Sequence, residues 1–520
     1  MRFQDLLTKW AHHTPDKLAL RWIERDRTLT FAQAVVEMER VAGALSTLGI
    51  GRGDRVGIFA HNGLDYVLAM FGAWRLGAAV TLVNLMYAES LDYFVNDSTP
   101  KVLIYTGDHY ETIELHRAKM PSVQTYVCMD GKQPGAEDWS ALLRSAPIPP
   151  ADTTQETDAA HISYTSGTTG KPKGAVLAHE PTGRATHCIA ERLRLRAADV
   201  TLGPTALSSS YHLVANLLPG LQRGATVNIM SRWEPQRAWQ AMENLGVTLL
   251  AANPPFLRDV LDISRQKGRP PARLRVGLSG GGPVPPDLKQ SYRDELKVNL
   301  VESYGQSELG GFVGLGFPEP VEDERLLAVG MPLPDKEVRI VDEQDREVPI
   351  GDVGEIVIRG GFMLGYWGKP EKTAETLRGG WLHTGDMGKM DAEGFVYNVG
   401  RWAERIISYG RVIFPRSLEE ALYKHPAVQQ ACVIGKPDPA AGELPKAIVT
   451  LSKDLLATPE ELLEHCRLLL GPDKAPALVE IIPEMPMTPT NKISRAELQS
   501  RESASIPSSS RARKAIELGS

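Results

Sequence analysis

Strand-like and helix-like stretches alternate through the first half of the chain, and this alternation restricts it to parallel sheets covered by helices. Thr30 stands before apolar positions Phe31, Val35, Met38, Ala42 and Leu45, the spacing of an amphipathic helix with a hydroxyl N-cap that ends near Gly49. Residues 56–59 then read as a short buried strand, 64–76 as a helix, and 79–83 and 102–105 as further strands. The pattern returns with a strand at 225–230, a helix at 235–245, a strand at 247–251 and a helix at 256–263. From about 327 to 360 the character changes: 338–341 and 355–358 flank a turn-rich stretch, as in a small antiparallel unit. A last α/β segment opens with a helix-like run at 415–424 and continues with strands at 431–434 and 448–451.

At 520 residues the chain exceeds one ordinary core, so two or more domains are expected. It is 42% hydrophobic and 23% charged with a formal net charge of −6, which leaves no basic surplus for nucleic acid. Local anion sites stay available, because backbone amides and a few cations hold small anions. Cys128, Cys188, Cys432 and Cys466 are far apart and form no CxxC pair, so they read as buried structural thiols rather than a zinc or redox centre. No charged-then-apolar leader pattern follows Met1, and the most apolar stretch, 64–86, is broken by Asp65, Gly72, Arg75, Gly77 and Asn84. A cytoplasmic chain without an integral membrane segment is expected.

The strand-like residues 159–164 run into Thr165-Ser166-Gly167-Thr168-Thr169-Gly170-Lys171-Pro172-Lys173-Gly174. Three glycines let the backbone approach a ligand closely, hydroxyls and amides offer donors, and Lys171 and Lys173 add charge. That combination suits a polyphosphate; the alternative is an ordinary surface loop. Two residues between Gly167 and Gly170, and proline after Lys171, exclude the Walker type. Leu274-Arg275-Val276-Gly277-Leu278 reads as a buried strand leading into Ser279-Gly280-Gly281-Gly282-Pro283. Tyr304-Gly305-Gln306-Ser307-Glu308, Trp381-Leu382-His383-Thr384-Gly385-Asp386, Gly400-Arg401 and Pro489-Thr490-Asn491-Lys492-Ile493 follow.

In this order, and spanning the chain from Thr14 to about Leu498, these runs resemble the adenylate-forming superfamily of acyl-CoA synthetases, luciferases and peptide-synthetase adenylation domains. The resemblance implies an α/β fold in which residues 1–400 form a large domain of two α/β subdomains with parallel-rich sheets. A small β-barrel-like subdomain is expected at about 327–400, a hinge at 401–404 centred on Glu404, and a small mobile α+β domain at 405–500. Residues 501–520, rich in serine and charge, are expected to be disordered.

It also assigns roles. Thr165, Ser166, Gly167, Thr168, Thr169, Gly170, Lys171 and Lys173 would grip ATP phosphates, and Gly281 and Gly282 would leave room for adenine. Ser303, Tyr304, Gly305, Gln306 and Ser307 would border the nucleotide, with Tyr304 stacked on the base and Glu308 as an oxygen ligand of Mg²⁺. Asp386, in a turn-like setting, would accept the ribose hydroxyls, and Arg401 would meet ribose or phosphate. Lys492 would bind the substrate carboxylate and α-phosphate and stabilise the charge-rich transition state. Thr165, His212, Glu308 and Lys492 are therefore the catalytic candidates. Read alone, each has a plainer meaning: a strand–helix turn for 280–282, a solvated carboxylate for Glu308, an Asx-turn for Asp386, a surface ion pair for Arg401, an exposed lysine for Lys492.

The acid pocket would be built from Tyr211, His212, Gly281, Gly305, Gln306, Gly310 and Gly311, with the last two glycines leaving space for an aromatic or branched acid. His212 would line that pocket or gate the CoA channel; the plainer reading is a structural histidine. Ser408, Tyr409, Gly410 and Arg411 would meet CoA. The chain departs from the family pattern at Ser307 for threonine, Asn491 for glycine, Tyr409 for glycine, and Glu404 where aspartate or lysine is usual. Ser307 keeps a hydroxyl, and asparagine tolerates positive φ better than most residues.

The reaction implied is attack of a carboxylate on MgATP to give an acyl-adenylate and pyrophosphate, then displacement of AMP by the CoA thiolate. ATP, Mg²⁺ and CoA are the cofactors, a small carboxylic acid is the partner, and a homodimer is compatible with this. Another acceptor is the alternative: an amine, a carrier-protein thiol, or nitrite in a diazotase-like variant. A nucleotide-binding protein without catalysis is the other, and Glu308, Asp386 and Lys492 speak against it. The acid itself, whether aromatic, fatty or small, is not specified.

Overall fold

The computed structural model describes residues 1–165, 171–282, 284–320, 322–452, 455–488 and 493–504. In chain order the strands begin with β1 (Leu18–Trp22), β2 (Arg27–Thr30), β3 (Arg55–Phe59), β4 (Ala79–Leu82), β5 (Val102–Tyr105), β6 (Thr125–Cys128), β7 (Glu137–Asp138), β8 (Ala159–Thr165) and β9 (Lys173–Ala178). There follow β10 (Val200–Gly203), β11 (Thr226–Ile229), β12 (Leu249–Ala251), β13 (Val276–Gly280), β14 (Asn299–Gln306), β15 (Gly311–Leu315), β16 (Met331–Pro332), β17 (Glu337–Val341), β18 (Gly354–Arg359) and β19 (Gly365–Tyr366). The last are β20 (Leu377–Arg378), β21 (Trp381–Met390), β22 (Val396–Arg401), β23 (Ile406–Ser408), β24 (Arg411–Ile413), β25 (Val428–Asp438), β26 (Gly442–Leu451) and β27 (Leu478–Ile481).

The expected alternation produces two large sheets. One has eight strands in the order β19-β9-β8-β4-β3-β5-β6-β7, parallel through β8-β4-β3-β5-β6-β7; the other has nine in the order β16-β15-β14-β13-β12-β10-β11-β1-β2. Thr30 caps the helix Phe31–Thr47 with a full capping box to Gln33, as its hydroxyl predicted. The apolar faces of that helix, of Leu64–Arg75 and of the run 213–221 meet in one core with β3, β4 and β11, which welds the two sheets together. On the far side of the nine-stranded sheet, the helices Pro235–Leu245 and Pro254–Lys267 build a second core.

Both sheets share a reversal. From β3 the chain goes to β4 on one side and then returns to β5 on the other; from β10 it goes to β11 and then returns to β12. At such a reversal the connecting helices leave on opposite faces, and a crevice opens beyond the carboxyl ends of the two strands.

Strand β9 was not expected; it pairs antiparallel with β8, so Lys173 faces Thr165 across the ladder, and these two described residues flank the phosphate-loop candidate. Strands β17, β18, β20, β21 and β22 form the antiparallel unit. Here the turn-like reading of Asp386 is corrected: it sits inside β21 and lies opposite Arg401 of β22. Gly385 at φ +68° bends the strand without ending it, because β18 and β22 supply partners on both sides. The C-terminal unit is a five-stranded sheet, β24-β23-β26-β25 with β27 on β26, covered by the helices Pro415–Tyr423 and Pro459–Leu470. A final helix spans Arg495–Ala504, so it enters the expected tail; the remainder of that tail lies outside the described residues.

Candidate active site

A cavity of about 880 Å³ opens at the carboxyl ends of β10 and β12, the reversal point of the nine-stranded sheet. The β8–β9 hairpin, the turn after β14 and the bend in β21 complete its wall. Thr165, Lys171 and Lys173 line one end. The Lys171 ammonium lies 5.5 Å from the Tyr93 ring centre and that of Lys173 4.4 Å from the Tyr366 ring centre, so both cations are held against aromatic faces beside the cavity. Ser166, Gly167, Thr168, Thr169, Gly170 and Lys492 lie outside the described residues.

Glu308 stands at the same end, in the turn Ser307–Leu309. It is nearly buried, and its Oε1 accepts a hydrogen bond of 2.7 Å from the Tyr366 hydroxyl. Burial and the neighbouring carboxylate both raise the Tyr366 phenol far above its ordinary value, so it remains a donor. One carboxylate beside two lysines fits Mg²⁺, which takes one or two protein oxygens and leaves its other positions to water and phosphate. Ser307 Oγ and Ser210 Oγ, both in the cavity wall, share a hydrogen bond of 3.3 Å.

Asp386 is almost wholly buried and is the hub of the β14–β21–β22 corner. Tyr304 donates to its Oδ2 at 2.7 Å, Gln306 Nε2 to the same oxygen at 2.8 Å, and Arg401 Nε lies 3.1 Å from Oδ1. Gln306, Gly305, Gly385 and Arg401 line the cavity, whereas Tyr304 and Asp386 stand behind that surface. The Tyr304 ring is buried in one cluster with Leu309, Val313 and Val329. Gly281, at φ +78°, lines the cavity, and a side chain at Gly282 would meet nothing within 4 Å. Ser303 is buried and donates to the Ser279 carbonyl.

The rest of the lining includes apolar and hydroxylic side chains: Tyr211, Val214, Phe256, Phe312 and Ser208–Ser210. Tyr211 is anchored by its hydroxyl to the Leu278 carbonyl at 3.1 Å, its ring centre 5.8 Å from that of Phe312. His212 does not join this lining. It is fully buried, its Nδ1 donating to the Thr205 carbonyl at 2.7 Å while Nε2 lies 3.2 Å from Asn216 Nδ2. Burial holds it down to about 4, so the imidazole is neutral and the carbonyl bond fixes its tautomer.

The expectation that Gly310 and Gly311 open space for the acid meets a different geometry. A Cβ at Gly310 would come within 2.7 Å of Thr182 Oγ1, and one at Gly311 within 2.7 Å of the Ala185 Cβ. These glycines let β15 press against the helix His179–Arg192, and only the Gly311 backbone reaches the cavity. Gly305 likewise serves a close strand crossing, since its Cβ would lie 2.5 Å from the Gly311 carbonyl oxygen.

Ser408, Tyr409, Gly410 and Arg411 form the β23–β24 hairpin, which does not line this cavity. Tyr409 is 70% exposed at φ +50° and Gly410 follows at φ +74°, the left-handed pair of a tight hairpin turn. Glu404 lies in the short turn Trp402–Glu404 and pairs with Arg495 at 3.2 Å.

Three features escaped the sequence reading. Tyr366 holds Glu308 from a distant two-residue strand, which leaves no local periodicity to detect. Arg416, on the helix Pro415–Tyr423, reaches Glu302 of β14 at 3.6 Å, and Glu302 also pairs with the buried Lys289. Asn253 lines the cavity as N-cap of Pro254–Lys267 yet makes no side-chain cap bond. Two prolines follow it, and the first free N–H, that of Phe256, goes to the Asn253 carbonyl, so the side-chain amide is left to the cavity. The Asn-Pro-Pro run is the signal that could have marked it.

The AMP-binding enzyme family model matches residues 7–367 and that of the AMP-binding enzyme C-terminal domain matches 417–492, and the chain belongs to this family. It is 33% identical to a feruloyl-CoA synthase of an Amycolatopsis species over 94% of this chain and 97% of that protein. It is 30% identical to a long-chain-fatty-acid–CoA ligase of Bacillus subtilis over 96% of this chain and 94% of the other. Among solved structures, an anthranilate CoA ligase in complex with anthranoyl-AMP superposes with a TM-score of 0.91 at 26% identity, covering 97% of this chain and 98% of that one. No helix among the described residues is long and apolar enough to cross a membrane.

Proposed function

We propose that this chain is an AMP-forming acid–CoA ligase whose acid is aromatic and carries a polar substituent. The observation that carries this reading is a single cavity whose lining holds two lysines and Glu308 together with Tyr211, Phe312 and Asn253. Lys171 and Lys173 take the β- and γ-phosphates, and Glu308, oriented by Tyr366, is the protein ligand for Mg²⁺. The ion supplies charge neutralisation at the phosphates when bound. Arg401 and Gln306, fixed by Asp386, border the nucleoside.

The carboxylate oxygen attacks the α-phosphorus and the bond to pyrophosphate breaks. Lys492 offsets the negative charge gathered there. In the second step the CoA thiolate attacks the acyl carbonyl, and AMP leaves with the carboxylate oxygen. Because the 408–411 hairpin stands outside the cavity wall, this step needs the C-terminal unit to turn, with 401–404 as the hinge and Glu404–Arg495 as the contact that moves with it. No side chain forms a covalent intermediate; positioning and charge do the chemistry.

Tyr211 and Phe312, which pack on each other with ring centres 5.8 Å apart, form an aromatic wall for a ring to lie against, and Asn253 offers a donor and an acceptor to its substituent. The names of two relatives, feruloyl-CoA synthase and anthranilate CoA ligase, point to acids of this type. Pyrophosphate release over a panel of hydroxylated, amino-substituted and unsubstituted aromatic acids and fatty acids, with and without CoA, tests the reading. Activation of fatty acids alone would overturn the acid class, and AMP release indifferent to CoA would overturn the acceptor.

A further inference from the structure

The eight-stranded sheet has its own reversal point, between β3 and β5, and none of the chemistry above uses it. Its crevice is occupied by three side chains with ligand chemistry. His61 lies two residues beyond β3, and Asp108 and His109 lie in the turn Gly107–His109 beyond β5. The helices leaving this point pack in different cores, Leu64–Arg75 with the inter-sheet core and Tyr110–Arg117 with the opposite one through Ile113, so each loop is anchored by a fixed element.

We propose that this crevice is a transition-metal site, with zinc the favoured ion, formed by His61 Nε2, His109 Nε2 and a carboxylate oxygen of Asp108. One ligand atom from each residue lies within 4.8 Å of the others. His61 Nε2 is 2.7 Å from Asp108 Oδ2, and His109 Nε2 is 3.8 Å from Asp108 Oδ1. Ligand atoms around tetrahedral zinc lie about 3.3 Å apart, inside that spread. The rings are not loose: their centres are 5.2 Å apart at 34°, and His109 packs on Phe59 at 5.0 Å.

The state of the ligands also suits a metal. His109 Nε2 is buried and has no hydrogen-bond partner, an arrangement that leaves a lone pair unspent. Two imidazoles and one carboxylate form a three-ligand set with a fourth position open to water, since Asp108 is half exposed. Arg232 lies 3.9 Å from Asp108 and 3.4 Å from His61 Nε2, but its side chain is 76% exposed and can swing into solvent when the ion enters.

Titration of chelator-treated protein with zinc chloride by calorimetry, and with cobalt chloride by visible absorption, tests the assignment. The expected result is one zinc per chain, and d–d bands of a four-coordinate cobalt ion. Asp108→Asn should weaken zinc by about tenfold or more, and His61→Ala with His109→Ala should remove the site. Circular dichroism of the metal-free variants establishes that they are folded; should the double variant misfold, the near-isosteric Asp108→Asn decides alone. Failure to bind zinc at millimolar concentration overturns the proposal. So does a stoichiometry and affinity unchanged in the variants, which would place the ion elsewhere, as at the neighbouring rings of His425 and His465.

Discussion

The two large sheets follow one plan and end in different chemistry. Each reverses its winding at one strand, β3 in the first and β10 in the second, and each opens a crevice there. Beyond β10 and β12 the crevice is deepened by the β8–β9 hairpin and the β21 bend into a cavity of about 880 Å³. Beyond β3 and β5 no such walls are added, and the short turn Gly107–His109 brings His109 beside His61 instead. Topology supplies a place to bind, and the loops and neighbouring units decide what binds there.

The strongest way to probe the comparison is acid. Each sheet hides a neutral histidine, His161 on β8 held to about 3 and His212 beyond β10 held to about 4, both by burial; His179, at the start of the helix after β9, is held to about 4 for the same reason. A histidine whose native pKa is depressed favours folding above its unfolded value near 6.5, and that stability is lost as pH falls below it. Three such groups give a loss of about 4 kcal/mol per pH unit between pH 6 and the native values. Denaturant unfolding at pH 7, 6 and 5 measures it, and His212→Asn should cut the slope by about a third.

Next in size, Glu308→Gln should slow ATP-dependent pyrophosphate release by about a hundredfold, with an unchanged melting temperature. Gly311→Ala should destabilise the protein by about 1–3 kcal/mol, because its Cβ would strike Ala185; a urea midpoint reads this directly. Asn253→Leu should cost about tenfold in kcat/KM for a hydroxylated aromatic acid and far less for the unsubstituted one, the effect of one hydrogen bond. The smallest effect marks the contrast: His61→Ala should leave pyrophosphate release within about twofold, since the cavity wall is held by the neighbouring Asn62, which takes the Leu207 N–H and donates to the Thr205 carbonyl. A large loss of activity in His61→Ala would show that the two crevices are coupled.

Much of the fold was legible because it rests on local patterns. Hydrophobic runs marked β3, β4, β5, β11 and their helices to within a few residues, and Thr30 announced a cap that the structure contains. The motif residues were legible one by one, but their geometry was not. Asp386 looked like a turn residue because Gly385 precedes it, and only pairing with β18 and β22 makes it a strand position. Tyr366 and Arg416 carried no signal, because each acts through a partner far along the chain, Glu308 and Glu302.

By itself, then, the order of residues determined the alternation of elements, the parallel sheets covered by helices that follow from it, and the family whose runs it carries in sequence, which in turn implied two α/β subdomains. The tertiary structure alone decided which way the side chains serve. It buried His212 and Tyr304, used Gly310 and Gly311 for close packing, and left the Asn253 amide to face the site. The physical reason is one of range. Periodicity and capping are settled among residues a few positions apart, whereas burial and pairing depend on which distant segment arrives alongside.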